Sequence, residues 1–110
     1  MSSRRKLVLY LDDLRDVPMD TENEYYKLVR SYGEFTKWIE MYGFPDVLDL
    51  DHDLGGEKTG YDCLLYLIDC DMIVPKEMRC IRLPELRIHS ANPVGRENMR
   101  ILWRNYKKNR

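Results

Sequence analysis

Residues 6 to 12 read KLVLYLD, a near-continuous apolar run closed by a carboxylate, which is the pattern of a parallel strand covered on both faces. Tyr25 to Arg30 form a second, weaker strand candidate. Ser31-Tyr32-Gly33-Glu34 then supplies a capping box, and Phe35, Trp38, Ile39 and Tyr42 follow at i, i+3, i+4 and i+7, one apolar stripe of a helix that Gly43 ends and Pro45 keeps from resuming. Asp46 to Asp51 predict a third strand, the Gly55-Gly56 turn follows, and Thr59-x-x-Asp62 opens a helix with Tyr61, Leu64, Leu65 and Ile68. Leu86 to Ser90 predict a short fourth strand. Asn92 at N-cap and Pro93 at N1 start a last helix with a stripe of Met99, Leu102, Trp103 and Tyr106. Residues 71 to 85 show no clear period, although Ile81-Arg82-Leu83 suits a short extra strand.

Strands alternating with amphipathic helices predict an α/β domain with a mainly parallel sheet of about four strands and right-handed crossovers. Ligands of such sheets bind beyond the carboxyl ends of the strands. Asp12-Asp13, Asp51-His52-Asp53 and His89-Ser90-Ala91-Asn92 all fall at or just after a strand end, so three pieces of chain converge on one rim. Carboxylates crowded together stay ionised when a cation sits among them, and all-oxygen ligands favour Mg²⁺, with Mn²⁺ the alternative. Asp12, Asp13 and Asp51 are the expected metal ligands. A cation held this way suits a phosphate-containing partner, for which Arg15, Arg96 and the helix start near Asn92 to Gly95 offer further positive charge. His52 and His89 are candidates for general acid or base, or hydrogen-bonded structural residues. Asp13, Asp53 and Asn92 also suit ordinary turns and caps, Thr59 a cap alone, and Asp49 a structural pair with Arg87 or His89. The cysteines lack zinc spacing.

At 110 residues and 44% hydrophobic, the chain has the size of one domain, residues 1 to 110. No apolar stretch approaches the roughly 20 residues that cross a bilayer, and the run after Lys6 is short for a secretory signal. Three cysteines without paired spacing suit a reducing cytoplasm. The net charge of -1 hides an asymmetry: residues 1 to 75 carry 8 basic and 16 acidic side chains, residues 76 to 110 carry 10 and 3. Arg96, Arg100, Arg104, Lys107, Lys108 and Arg110 thus make either a solvated helix face or a track for a polyanion.

Leu11-Asp12-Asp13 resembles the acidic pair of response-regulator receiver domains, and Pro45 to Asp51 resembles their third strand, with Asp51 in the phospho-acceptor place. Gly60 matches the glycine that begins the next helix, and Ser90-Ala91 the pair whose hydroxyl touches the phosphoryl group. Two departures stand out: no fifth strand brings the usual lysine, and Asp13 to Glu24, with Pro18, reads poorly as a first helix. The segments LDDLRDVP, DLDHDLGGEKTGYD and HSANPVGRENM are more similar to a divergent receiver-like family expected to process cyclic phosphates. That resemblance implies a flavodoxin-like, three-layer sandwich lacking the fifth βα unit. It also implies a metal-assisted phosphoesterase acting on 2′,3′-cyclic phosphate ends of RNA, in RNA repair, or on cyclic nucleotides. Asp12, Asp13 and Asp51 would hold Mg²⁺ or Mn²⁺, Arg15 and Ser90 would contact the phosphate, His52 or His89 would protonate the leaving ribose oxygen, and Asp53 and Asn92 would support them. The rival expectations are a signalling or partner-binding module with Asp51 as phospho-acceptor, and a nucleotide sensor that returns its ligand unchanged.

Overall fold

The computed structural model describes residues 5–79 and 82–110. Four parallel strands, β1 (Lys6–Leu11), β2 (Glu24–Val29), β3 (Val47–Leu50) and β4 (Glu85–Ile88), lie in the order β2-β1-β3-β4. The helices are α1 (Tyr32–Tyr42), α2 (Gly60–Ile73) and α3 (Pro93–Asn109). None of them is long and apolar enough to cross a membrane. Of the expected extra strand, Ile81 lies outside the described residues, and Arg82 and Leu83 belong to no strand. The stretch that shows no period begins as helix: α2 continues through Asp71 to Ile73, and Pro75 follows. The α3 terminus is tied to α2, since Arg110 donates to both oxygens of buried Asp71 at 2.7 and 3.1 Å and the Tyr106 hydroxyl also donates to that carboxylate.

Register sets two faces. Tyr10 stands opposite Leu28 and Asp49, and Asp49 opposite Arg87, while Leu11 stands opposite Val29 and Leu50. Side chains alternate along a strand, so Leu9, Leu11, Leu48 and Leu50 share one face and Val8, Tyr10, Val47 and Asp49 the other. The leucine face is the core, packed with Phe35 and Ile39 of α1, Leu64 and Leu67 of α2, and Met99 and Trp103 of α3. Each such buried side chain contributes roughly 1.5–3 kcal/mol of transfer free energy.

Four parallel strands and three helices make the expected receiver-like, flavodoxin-like α/β fold, with the helices gathered on the leucine face of the sheet. The crossovers β2-α1-β3 and β3-α2-β4 step the same way across the sheet, so right-handedness puts both helices on one face, and α3 joins them there. The only step in the opposite sense, β1 to β2, is made by residues 12–23, which contain no helix. The second face is closed by its own side chains. Arg87 on one edge strand donates to both carboxylate oxygens of Glu24 on the other, at 3.0 and 2.6 Å, across β3 and β1. Beneath lie Val8 and Val47, fully buried, and Tyr10, which meets Tyr26 edge-on at 6.2 Å.

Candidate functional site at the strand-end rim

Asp12 follows β1 directly and is 1% exposed. Its Oδ1 accepts the backbone N–H groups of Leu14 at 2.9 Å and Arg15 at 2.8 Å, a local turn that fixes the side chain. Oδ2 is left to face His89 Nε2 at 3.0 Å. Burial by itself raises the Asp12 pKa, but the two amides and His89 outweigh it and hold the carboxyl below its ordinary value.

Asp51 follows β3, its N–H donating to the Leu11 carbonyl at 3.0 Å. A Cβ on Gly60 would lie 1.9 Å from the Asp51 carbonyl oxygen, so only glycine lets α2 start this close to the strand end. The Asp51 carboxylate accepts no hydrogen bond from the described residues. Beyond β4, His89 Nδ1 meets Asp49 Oδ1 at 2.6 Å, and the ring stacks on Tyr10 at 4.3 Å with 3° between planes. Burial would lower the His89 pKa; the hydrogen bonds and negative charge of Asp49 and Asp12 reverse that and raise it.

Donor atoms of Asp12, Asp51 and His89 all lie within 4.8 Å of one another, close enough to share one metal ion. Asp13, expected as the third ligand, stands outside this group. Its carboxylate lies along Gly55, 3.1 Å from where a Cβ there would stand. Arg15 crosses toward the rim, Nη1 donating to the His89 carbonyl at 3.4 Å. Ser90 is buried, and its hydroxyl accepts the Asn92 N–H at 3.1 Å.

A neighbouring group forms where α3 begins. The Asn92 side chain accepts the Gly95 N–H at 3.0 Å as a helix cap, and His52 packs so closely that a Cβ on Gly95 would meet its ring at 2.4 Å. His52 Nδ1 pairs with Asp53 Oδ1 at 3.0 Å, and this contact, with a smaller contribution from Asn92, lowers the Asp53 pKa. Arg96 stands one turn into α3 with no ion-pair partner among the described residues. Cys63 is buried in the core, its thiol pushed up to about 12 by burial, and takes no part in the metal-capable group.

The family model of the cyclic-phosphate processing receiver domain matches residues 7–105. The chain belongs to this receiver family. Among solved structures it is similar to a yeast Spc42 trimeric coiled-coil segment, amino acids 181–211, fused to another protein, with a TM-score of 0.62 and 15% identity. The match covers 92% of this chain and 66% of that one, and at this identity it shows the fold alone. No curated protein matches.

In this receiver domain His89 has two supports, Asp49, expected as a structural pair with Arg87 or His89, and Tyr10, which sequence reasoning missed. Their signal lies in the period of two: Tyr10 and Asp12, Asp49 and Asp51, and Arg87 and His89 are each two residues apart on paired strands, and so share a face.

Proposed function

We propose that this domain hydrolyses cyclic phosphates, on 2′,3′-cyclic phosphate ends of RNA or on cyclic nucleotides, with a divalent cation bound by Asp12, Asp51 and His89. The observation that carries the reading is the meeting of those three side chains, donors within 4.8 Å, at the rim where α3 begins. Two carboxylates this close repel each other and favour a cation between them. His89 has Nδ1 on Asp49 at 2.6 Å, the carboxylate–histidine pairing that orients an imidazole for ligation through Nε2. Mg²⁺ and Mn²⁺ both accept carboxylates, and the imidazole nitrogen favours Mn²⁺, since Mg²⁺ prefers oxygen. When bound, such a cation neutralises phosphate charge and makes a water more nucleophilic.

The chain's own residues supply the rest. Arg15 and Arg96 attract the phosphate, the Ser90 hydroxyl proton is available to one of its oxygens, and Asp13 and Asp53 shape the surroundings. In hydrolysis a water oxygen bonds to phosphorus, one ring P–O bond breaks, the water loses a proton and the ribose oxygen gains one. His52 is assigned to give that proton. His89 is kept as a ligand instead, because Asp49 at its Nδ1 orients Nε2 toward Asp12; cation binding there takes the place of a proton on Nε2.

The test is incubation of a short RNA ending in a 2′,3′-cyclic phosphate with the protein and Mg²⁺ or Mn²⁺, the products resolved by mass. Gain of one water, lost in Asp51→Asn and Asp12→Ala, is expected. RNA left unchanged with both cations overturns the reading. A second reading is favoured by the unengaged Asp51 carboxylate in the phospho-acceptor place: a signalling module phosphorylated there. A labile adduct from a small phosphodonor, absent in Asp51→Asn, would support it.

A further inference from the structure

We propose that the groove between α3 and the outer edge of β4 seats a single-stranded polynucleotide. The groove is a cavity of about 480 Å³ between Leu86 and Ile88 on the strand and Arg100, Trp103, Arg104 and Lys107 on the helix. Ile88, the last residue of β4, brings the groove toward the strand-end rim, while its helix side is the part of α3 from Arg100 onward.

Its charge is one-sided. Arg96, Arg100, Arg104 and Lys107 follow one another at intervals of four, four and three residues, one stripe about 16 Å long at the helical rise. Arg96, Arg104 and Lys107 have no carboxylate partner among the described residues. Arg100 meets Glu97, the sole acid of α3, at 3.7 Å, and both side chains are more than half exposed, so that pair neutralises little. Arg87 also borders the groove but is held by Glu24 and Glu85 and adds little free charge. Like charges stacked at i, i+4 cost the helix stability, a cost that a line of phosphates along the stripe would remove.

Leu86 and Ile88 give the groove an apolar floor, which suits the exposed bases and sugars of a single strand; a duplex or an acidic peptide offers charge alone. The direction of the strand, with its processed end at the rim, rests on the phosphoesterase reading. The groove itself does not.

The experiment uses the full chain and a fluorescein-labelled single-stranded RNA of about ten nucleotides, with anisotropy measured across a salt series. The Arg100→Glu, Arg104→Glu double variant is expected to weaken binding at least tenfold and to lower the salt slope by about 1.4, at roughly 0.7 per lost phosphate contact. Affinity for a cyclic mononucleotide, too short to reach from the rim to Arg100 and Arg104, should move less than about twofold. A control pair on the far side of the fold, Lys27→Glu with Lys37→Glu, should leave RNA binding near that of the unaltered chain. Equal loss in both double variants, no loss in the first, or equal binding of polyglutamate or phosphatidylserine vesicles overturns the groove. Groove-dependent RNA binding without hydrolysis keeps the groove and removes only the phosphoesterase.

Discussion

His89 is held at both ring nitrogens and on one face, by Asp49, Asp12 and Tyr10. If it ligates through Nε2, Asp49 fixes its orientation, and Asp49→Asn should lower Mn²⁺ affinity about 10- to 100-fold by calorimetric titration. Unchanged affinity would remove His89 from the ligand set. Asp71, far from the rim, gives the pH dependence. Arg110 first, then the Tyr106 hydroxyl, lower its pKa against the opposing effect of burial. A carboxyl lowered on folding stabilises the fold fully above its unfolded pKa, and that stability is lost as pH falls through the lower folded value. Asp71→Asn should therefore cost about 2 kcal/mol near neutral pH in urea unfolding, and make stability less steep in acid below about pH 4. Much of this placement was legible: Asp12 and Asp51 announced themselves as acids closing apolar runs, and Asp49 was expected to meet Arg87 or His89. It meets His89, while Arg87 goes to Glu24 and Glu85. The position of Asp13 was not legible, because it depends on the path of the loop around Gly55, which no hydrophobic period encodes.

Element starts decide where the site side chains stand. Gly60 opens α2 against the carbonyl of Asp51, and Gly95 lies under the His52 ring in the first turn of α3. Gly60→Ala must move the end of β3 and should destabilise by about 3 kcal/mol in urea unfolding. Gly95→Ala meets a side chain instead of backbone, so it should displace His52 and, under the proposed function, impair cyclic-phosphate hydrolysis more than it lowers stability. Equal effects in both assays would separate His52 from the chemistry. Caps were the most readable boundaries: Ser31 accepts the Glu34 N–H at 3.1 Å and Asn92 the Gly95 N–H at 3.0 Å. Glu34 departs from the reciprocal pattern and accepts from Arg30, one residue before the cap, at 2.9 Å. The far end of α2 escaped notice because Asp69, Asp71 and their apolar neighbours mix periods until Pro75 stops the helix.

At the scale of the whole molecule, strand alternation, a parallel sheet and the receiver-like fold could be read from the chain, but not which face of the sheet each helix covers. Which face a crossover covers depends on strand order, and the order β2-β1-β3-β4 leaves only the helix-free segment of residues 12–23 for the second face. The Arg87–Glu24 pair spans that face and joins the two edge strands. Since Arg87 and Glu24 are only about one-third and one-fifth exposed, a double-mutant cycle with Arg87→Met and Glu24→Gln should give a coupling of about 1 kcal/mol or more, above that of a surface pair; zero coupling would reduce the strap to a surface contact. The same strand order has a consequence in time. In chain order β1, β2 and β3 come before β4, so Asp12 and Asp51 lie on adjacent strands made earlier than the one that carries His89 into place. Until β4 joins the sheet the two neighbouring carboxylates lack the third donor of the group, so the last strand to pair is the one that completes it.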